Sequence, residues 1–517
     1  MRYQLKKQDI GSYKGENKID VGTPRRDRRL FETEHLRQDL RRRSVRGAAV
    51  TVIGQAGRLV IQVAGVAVLA RLLLPADFGL FGKTIVLVGL ITVIQTGGLS
   101  LATIQRAQVT HEQISMLFWL NAVFGVMAAG MIAALSPVMA WFYDDPRVLW
   151  LGLALAGPVA ISGLTVQHDA LMQRQMRFTA IAVIYVIALF TSFVAAVLSA
   201  WRGAGFWALA VQQYVNSLTL MLLLFTLCPW FPGLPRRSSG VKPMVKIGAN
   251  QTGFNLLNFT DRNLDKLLIG RFFSDAALGY YLLAYRLLLL PIQQINGPIS
   301  AVVVPGLSRL QEDPQRYVRF YYRAIGAMVF VGMPIVCFLL VDARPVILLV
   351  FGSKWLPAVP IFQALGGAAF VGTFNVAAAW ICGSMGTTDR LLRWTLVATP
   401  ITLVSFILGL PWGAFGVAAS FSASRVLLTL PALMYFVRGT PIRIGTLLLT
   451  LLWPAMAAFI AGAALWLAQS SVSAWPATWI GLDLLIYGIA YLGVWIVVPG
   501  GRAHLGQFFA LLNEFRN

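Results

Sequence analysis

Acidic residues and cysteines are scarce in this sequence. Of 517 residues only 21 are Asp or Glu, against 43 Lys or Arg, and the three cysteines form no CxxC or Cys/His spacing. A disulfide framework and a zinc site are therefore disfavoured. Charged residues make up 12% of the chain, whereas soluble domains carry roughly 25%. This composition excludes an ordinary soluble protein. We attribute the basic excess to cytoplasmic membrane loops and expect no nucleic-acid partner.

The sequence also lacks the motifs of the common enzyme classes. It contains no GxSxG elbow, no Walker P-loop and no HExxH, and these motifs carry the usual nucleophile, phosphate cradle and zinc site. The acidic residues Asp144, Asp145, Glu312 and Asp313 lie beside Arg or Pro and are typical of helix caps and turns. No metal-ligand cluster is evident. We therefore expect a transporter and not an enzyme, with no bound cofactor.

Long hydrophobic runs, in contrast, fill the chain. A helix needs about 20 apolar residues to cross a bilayer, and such runs recur to near the end of the sequence. They predict an all-α integral membrane protein of about 14 transmembrane helices. The predicted spans are 47–70, 81–103, 114–142, 148–167, 178–201, 204–230, 247–269, 277–304, 318–341, 357–381, 391–411, 412–437, 444–468 and 477–498.

The distribution of basic residues predicts the orientation. With a cytoplasmic N-terminus, the inner loops and their edges hold fifteen Lys and Arg and the outer ones hold seven. The positive-inside rule then places both termini in the cytoplasm. Residues 1–46 are expected to form a basic, largely disordered tail, and residues 499–517 a second tail. The first tail is interpreted as a topological anchor, with binding to anionic lipid headgroups as the alternative.

Two segments of the chain resemble each other. Arg71 is followed by Gly79, and Arg271 by Gly279, so the same spacing recurs 200 residues later. Each segment joins an odd-numbered predicted helix to the next. Helices 1–6 (47–230) would thus correspond to helices 7–12 (247–437), with the two halves related by an axis along the membrane normal. The last two helices (444–498) fall outside this repeat.

Polar residues are predicted to share one face on helices 7 and 1. On helix 7 they are spaced by three or four residues, as on one side of an α-helix, and helix 1 repeats the pattern. Helix 8 carries further polar residues around Pro291. Charges at membrane depth usually line a cavity or contact a partner. The alternative is that they join neighbouring helices by hydrogen bonds or pair with one another. We expect a cationic cavity that binds an anionic substrate through Gln55, Arg58, Gln62, Gln251, Asn255, Asn258, Arg262, Asp265, Lys266, Arg286 and Gln293.

An ordered set of motifs resembles a known family. They are ARLLLPADFG at 70–79, QR at 105–106, RQMRF at 174–178, NLDKLLIGRF at 263–272, PGLSRLQ at 305–311 and FGSKWLPA at 351–358. Over about residues 47–440 the chain is similar to the polysaccharide-exporter (Wzx-type) branch of the multidrug/oligosaccharidyl-lipid/polysaccharide (MOP) flippase superfamily. Members of this branch take part in lipopolysaccharide, capsule and exopolysaccharide assembly.

The resemblance implies a fold and an activity. The fold would be two six-helix bundles around a central cavity, plus two C-terminal helices. The activity would be transfer of undecaprenyl-diphosphate-linked oligosaccharide across the bacterial inner membrane by alternating access. Coupling to a sodium or proton gradient is implied, as are a polysaccharide polymerase and a chain-length regulator as partners.

Three other functions remain open at this point. A relative in the same superfamily would export drugs by cation antiport or flip the peptidoglycan precursor. A membrane enzyme of polysaccharide assembly would instead present a large periplasmic loop or an acidic catalytic pair. A scaffold that recruits the polymerisation machinery is also compatible with the sequence.

Overall fold

The computed structural model describes residues 40–96, 103–104, 109–235, 262–471 and 479–497, and the single residues 100, 256 and 259. No strand occurs among them. Eleven helical stretches of this part are long and apolar enough to cross a membrane, so the prediction of an all-α membrane protein is confirmed. In chain order the helices are α1 (Leu40–Leu72), α2 (Pro75–Thr96), α3 (His111–Tyr143), α4 (Pro146–Arg174), α5 (Phe178–Trp201), α6 (Trp207–Leu227), α7 (Leu264–Phe272), α8 (Asp275–Arg309), α9 (Pro314–Val341), α10 (Ala343–Val350), α11 (Ala358–Ala364), α12 (Gly366–Gly372), α13 (Val376–Met385), α14 (Thr388–Gly409), α15 (Gly413–Val437), α16 (Ile444–Ser470) and α17 (Ile480–Val497).

Side-chain caps determine where several helices begin. Asp145 accepts a hydrogen bond from the backbone N–H of Arg147 ahead of α4. Asp313 does the same for Arg316 ahead of α9. A cap of this kind satisfies an N–H that the first helical turn leaves unpaired. The prediction that these two carboxylates act as caps is therefore confirmed.

One predicted span is not a single helix. The run 357–381 is divided into α11, α12 and α13, with interruptions at Leu365 and at residues 373–375. Glycine is a poor helix former, and the chain places Gly366 and Gly367 at the first break and Gly372 at the second. The second predicted span begins earlier than expected, at Pro75 instead of residue 81. Most of the predicted span 247–269 lies outside the described residues.

The two similar segments of the sequence meet in the fold, where α2 crosses α8. A methyl group on Gly79 would lie 1.7 Å from the carbonyl oxygen of Asp275, and one on Gly279 would lie 1.9 Å from that of Pro75. The backbones of the two helices therefore touch at both glycines, in a reciprocal arrangement. Only glycine permits so close an approach. We call this side of the bundle, where α1 ends and α2 begins, the Arg71 end.

An aromatic cluster next to this crossing seals the Arg71 end. The Trp355 side chain is fully buried, and its indole N–H donates to the carbonyl oxygen of Ala70 at 2.8 Å. The Trp355 ring meets Phe78 edge to face at a centroid distance of 5.4 Å and Tyr280 at 5.8 Å. Edge-to-face pairs of this kind each add about 0.5–1.5 kcal/mol beyond their burial. Residues far apart in sequence thus hold the Arg71 end closed.

The last two helices attach to the side of α9. Helix α16 packs along α9, and α17 packs mainly on α16. The Tyr487 hydroxyl donates to the carbonyl oxygen of Ala458 at 3.2 Å, and the Tyr491 hydroxyl donates to that of Phe330 at 2.9 Å. Buried tyrosines therefore join α17 to both α16 and α9.

The glycine crossing leads to a first prediction. Replacement of Gly279 by alanine forces α2 and α8 apart, and we expect a loss of at least about 1–3 kcal/mol of stability, as for overpacked cores. The measurement is thermal unfolding of the purified protein in detergent. Gly488→Ala on α17 is the matched control, because no atom lies within 4 Å of the added methyl group. Equal stability of the two variants would contradict the close crossing.

Candidate functional site

A polar cavity of about 570 Å³ lies among α8, α12, α13, α15 and the residues just before α7. Its polar lining residues are Arg262, Gln293, Asn296, Ser300, Asn375 and Arg425. Polar residues at membrane depth are costly unless they serve a purpose. This cavity is therefore the first candidate for a binding site.

Helix α8 supplies most of the polar lining through its periodicity. Tyr285, Gln293, Asn296 and Ser300 all reach the cavity, because residues three or four apart share a helix face. The same helix contains Pro291, Pro298 and Pro305. Each proline lacks the backbone N–H that another residue would donate within the helix.

One acid and several cations surround this lining. Asp265 is only 2% exposed and accepts a hydrogen bond from the Tyr281 hydroxyl at 2.6 Å. The neighbouring Lys266 ammonium donates to the Asn263 side chain at 2.7 Å and lies 5.1 Å from the centre of the Tyr285 ring. The Arg425 guanidinium lies 5.1 Å from the centre of the Phe421 ring. Cations that rest on aromatic faces are stabilised without losing their charge.

A second polar group lies in the first half of the chain. The Arg58 guanidinium is 5.1 Å from the centre of the Tyr185 ring. The Tyr185 hydroxyl donates to Asp169 at 3.3 Å, and the Gln173 amide donates to the same carboxylate at 2.9 Å. Arg58 therefore lies close to Asp169 on α4. The polar pattern predicted from the sequence does not include Asp169.

The predicted site residues have the following places in the structure. Arg262 and Gln293 line the cavity, and Asp265 is buried near it beside Tyr281. Arg286 lies one residue after the cavity-lining Tyr285 and is exposed. Gln55, Arg58 and Gln62 are half-buried on α1. The predicted residues Gln251, Asn255 and Asn258 lie outside the described residues.

Sequence reasoning missed Arg425 and Asn375. Arg425 is a charged residue in the middle of the apolar helix α15, and such a residue is by itself a signal of function. It belongs to no polar stripe, so the spacing of polar residues along the chain does not indicate it. Asn375 lies in the break between α12 and α13, and a continuous predicted span did not reveal that break.

A network of ion pairs adjoins the glycine crossing at the Arg71 end. The Lys83 ammonium, only 5% exposed, lies 2.5 Å from Asp275, and Arg147 lies 2.7 Å from the same carboxylate. Arg147 also binds Asp145 at 2.7 Å. Burial would raise the pKa of Asp145, but the hydrogen bonds and charge of Arg147 outweigh it, and the pKa is lowered. The pair Lys83–Asp275 joins the first half of the chain to the second.

Backbone contacts reinforce this junction. The Arg71 guanidinium donates to the carbonyl oxygen of Leu349 at 2.5 Å, and the Lys354 ammonium donates to that of Arg71 at 3.3 Å. Together with the Trp355–Ala70 bond, they connect the end of α1 to the last turn of α10 and the loop after it. In the described part of the chain, no three His, Cys, Asp or Glu side chains lie together as metal ligands would.

Comparisons with known proteins identify relatives of the chain. Residues 68–360 match the family described as "Polysaccharide biosynthesis protein". The lipopolysaccharide biosynthesis protein WzxC of Escherichia coli (strain K12) is 25% identical over 410 residues, which cover 78% of this chain and 82% of WzxC. The teichuronic acid biosynthesis protein TuaB of Bacillus subtilis (strain 168) is 29% identical over 281 residues, or 54% of this chain and 58% of TuaB. These matches confirm the resemblance seen in the sequence motifs.

Solved structures show the same fold. The lipid II flippase MurJ in an inward closed conformation has a TM-score of 0.67 at 13% identity, covering 86% of this chain and 98% of MurJ. A multidrug resistance MATE family transporter of the MOP superfamily, in an inward-facing conformation, has a TM-score of 0.57 at 12% identity. The match covers 78% of this chain and 94% of the transporter. At these identities the likeness establishes the fold and nothing more.

The ion-pair network leads to a second prediction. Asp275→Asn leaves the buried Lys83 without its counter-charge, and we expect a loss of about 3–5 kcal/mol, as for a broken buried pair. The measurement is thermal unfolding in detergent. Asp313→Asn is the matched control, since Asp313 pairs with Arg316 at the surface and is 47% exposed. An exposed pair contributes about 0–1 kcal/mol. Equal losses in the two variants would contradict the buried network.

Proposed function

Because the chain belongs to the family of polysaccharide biosynthesis proteins, we propose that it is a flippase for lipid-linked oligosaccharides. It moves undecaprenyl-diphosphate-linked repeat units across the bacterial inner membrane for exopolysaccharide, capsule or lipopolysaccharide O-antigen assembly. Its relatives are named for lipopolysaccharide and teichuronic acid biosynthesis and for succinoglycan biosynthesis transport. The MOP-like fold supports transport and not catalysis.

The observation that carries this proposal is the cationic cavity in the second half of the chain. Arg262 and Arg425 both line it, and Lys266 lies on the ring of Tyr285 at its wall. A guanidinium binds phosphate oxygens in a bidentate manner, so two arginines suit a diphosphate. The amide groups of Gln293, Asn296 and Asn375 would bind sugar hydroxyls. A substrate with an anionic diphosphate and a polar sugar matches both features.

The proposed architecture has fourteen transmembrane helices. Helices α1–α6 form one bundle, a second bundle extends from helix 7 of the sequence prediction to α15, and α16 and α17 are appended to α9. The excess of basic residues orients the Arg309 end and both termini toward the cytoplasm. The Arg71 end then faces the periplasm, where the glycine crossing and the ion pairs close it. Transport proceeds by alternating access, in which this end opens as the cytoplasmic end closes.

The proposal extends to partners and energy coupling. A flippase of this kind delivers its substrate to a polysaccharide polymerase and a chain-length regulator. A sodium or proton gradient would drive the transport. The first half of the chain would contribute Gln55, Arg58 and Gln62 to the site, on the opposite side of the pathway from Arg286 and Gln293.

The second candidate function is that of another member of the superfamily, which exports drugs by cation antiport or flips the peptidoglycan precursor. Cation antiport is the one that a specific residue favours. The buried carboxyl of Asp265 favours it, because cation antiporters need an acid at membrane depth. Lys266 follows Asp265 directly in the chain, and the positive charge of Arg425 also acts on Asp265. These cations oppose the entry of a positively charged drug. The flippase assignment therefore accounts for more of the charged residues in and around the cavity.

The proposal predicts that the cavity arginines bind the substrate. Arg262→Ala and Arg425→Ala each remove a charge-assisted hydrogen bond of about 1.5–3 kcal/mol, which corresponds to roughly 10- to 100-fold weaker binding. The measurements are affinity for undecaprenyl-diphosphate-linked sugar in detergent, and polymer export by a strain that depends on the variant. Membrane levels of each variant are determined in parallel.

Arg393→Ala is the matched control for this experiment. Arg393 is exposed and pairs with Asp389 near the Arg309 end, so its loss removes the same charge outside the cavity. We expect wild-type affinity and export from this variant. Normal affinity and export from a well-expressed Arg262→Ala, Arg425→Ala double variant would overturn the proposed role of the cavity.

A further inference from the structure

Two carboxyl groups are buried together where α9, α10, α16 and α17 converge at the Arg71 end. Asp342 lies between α9 and α10, and Asp483 lies in the first turn of α17. Both residues are completely buried, at 0% exposure. The two carboxyls are within hydrogen-bonding range of each other. Burying an acid is costly, and neither the cavity nor the ion-pair network uses these two residues.

The hydrogen bonds around Asp342 occupy one of its two carboxyl oxygens, so the other can hold a proton. Its Oδ1 accepts a hydrogen bond from the Gln469 amide at 2.9 Å. Its Oδ2 is buried and receives no hydrogen bond from a donor among the described residues. Two carboxyl groups in contact bind each other only when one of them is protonated. Burial, followed by the charge of Asp483, raises the pKa of Asp342 to about 6.

The surroundings of the pair contain few other charges. Helix α16 contributes the uncharged Gln469 and α17 contributes Asp483. On α10, Arg344 is exposed. The titratable residues nearest in sequence on α9 and α17 are Cys337 and Tyr487, which interact with each other and with the carbonyl oxygen of Ala458. In the described part of the chain, the protonation of Asp342 is thus governed mainly by its burial and by Asp483.

A single short helix connects this pair to the seal at the Arg71 end. Helix α10 begins directly after Asp342 and ends at Val350. The carbonyl oxygen of Leu349, in its last turn, accepts the hydrogen bond of Arg71. Just beyond it, Lys354 and Trp355 donate to the carbonyl oxygens of Arg71 and Ala70. Helix α10 therefore links Asp342 directly to these three contacts with the end of α1.

We propose that Asp342 and Asp483 form a proton-binding site that controls the closure of the Arg71 end. With one proton between them, the carboxyls hold α17 against the start of α10, and the loop after α10 remains bound to α1. Loss of that proton leaves two carboxylates that repel each other, so α10 moves and releases Arg71 and Ala70. The inference rests on the alternating-access part of the proposed function and does not depend on the identity of the substrate.

The direction of the pH dependence follows from the raised pKa of Asp342. A carboxyl whose pKa is raised in the closed state stabilises that state while it is protonated. Closure is therefore complete at acidic pH and is lost as the pH rises through about 6.

Spin-label distance measurement by pulsed electron resonance tests this proposal. Labels are attached at Arg202→Cys in the first half and Trp412→Cys in the second, since both positions are exposed at the Arg71 end. The native cysteines Cys228, Cys337 and Cys382 are buried and remain unlabelled. In substrate-free protein we expect the fraction of molecules with a long distance between the two labels to rise about tenfold between about pH 5 and about pH 8.

Variants of the pair distinguish a proton site from a general effect of pH. The isosteric double variant Asp342→Asn, Asp483→Asn should keep the short distance at every pH. Asp483→Asn alone places an amide beside Asp342, so that loss of the Asp342 proton no longer produces two repelling carboxylates. The distance between the labels should then also stay short at every pH. Asp389→Asn removes an acid that is 60% exposed near the Arg309 end. The pH at which half of these molecules have opened should equal that of the wild type.

The outcomes separate this inference from the proposed function. A double variant that opens with the wild-type midpoint, or a wild type whose distance does not change with pH, would overturn the proton site. A normal pH response in a protein that binds no lipid-linked sugar would instead contradict the flippase assignment and leave the proton site standing.

Discussion

The backbone contact between α2 and α8 is the constraint on which the closed end of the molecule depends. Because Gly79 and Gly279 carry no side chains, the two helices touch and bring Asp275 within reach of Lys83 on the opposite half. The aromatic cluster around Trp355 packs beside the same contact. A bulkier residue at either glycine would separate the helices and weaken both interactions, so one steric condition supports the ion pairs and the apolar seal together.

Charged groups in and at the ends of the helices are stabilised in three different ways. At the closed end, Lys83 is paired with Asp275, which suits a contact that holds two halves together. In the polar regions, Arg58 and Arg425 lie on aromatic rings, which stabilise a cation without cancelling its charge. Asp342 shares hydrogen bonds with Gln469 and Asp483. The first arrangement joins the two halves, the second keeps positive charge beside the proposed substrate pathway, and the third is the proposed proton site.

Much of this organisation could be predicted from local patterns. Apolar runs identified most of the helices, and the spacing Arg71–Gly79 located the segments that meet in the fold, because both depend on short stretches of sequence. The breaks that expose Asn375 were missed, since a hydrophobic average does not register two glycines in an apolar run. The Asp342–Asp483 pair was not predictable. Its members are far apart in sequence and become neighbours only when α17 docks near α9, so no periodicity marks them.

The chain is proposed to move a lipid-linked oligosaccharide across the membrane through a cationic cavity. The most direct measurement is the location of lipid-linked repeat units in a strain that lacks the protein, by mass spectrometry of extracted lipids and lectin labelling of spheroplasts. Complete repeat units should accumulate on the cytoplasmic face and return to the outer face when the wild-type chain is supplied. Normal display at the outer face without the protein would contradict the account.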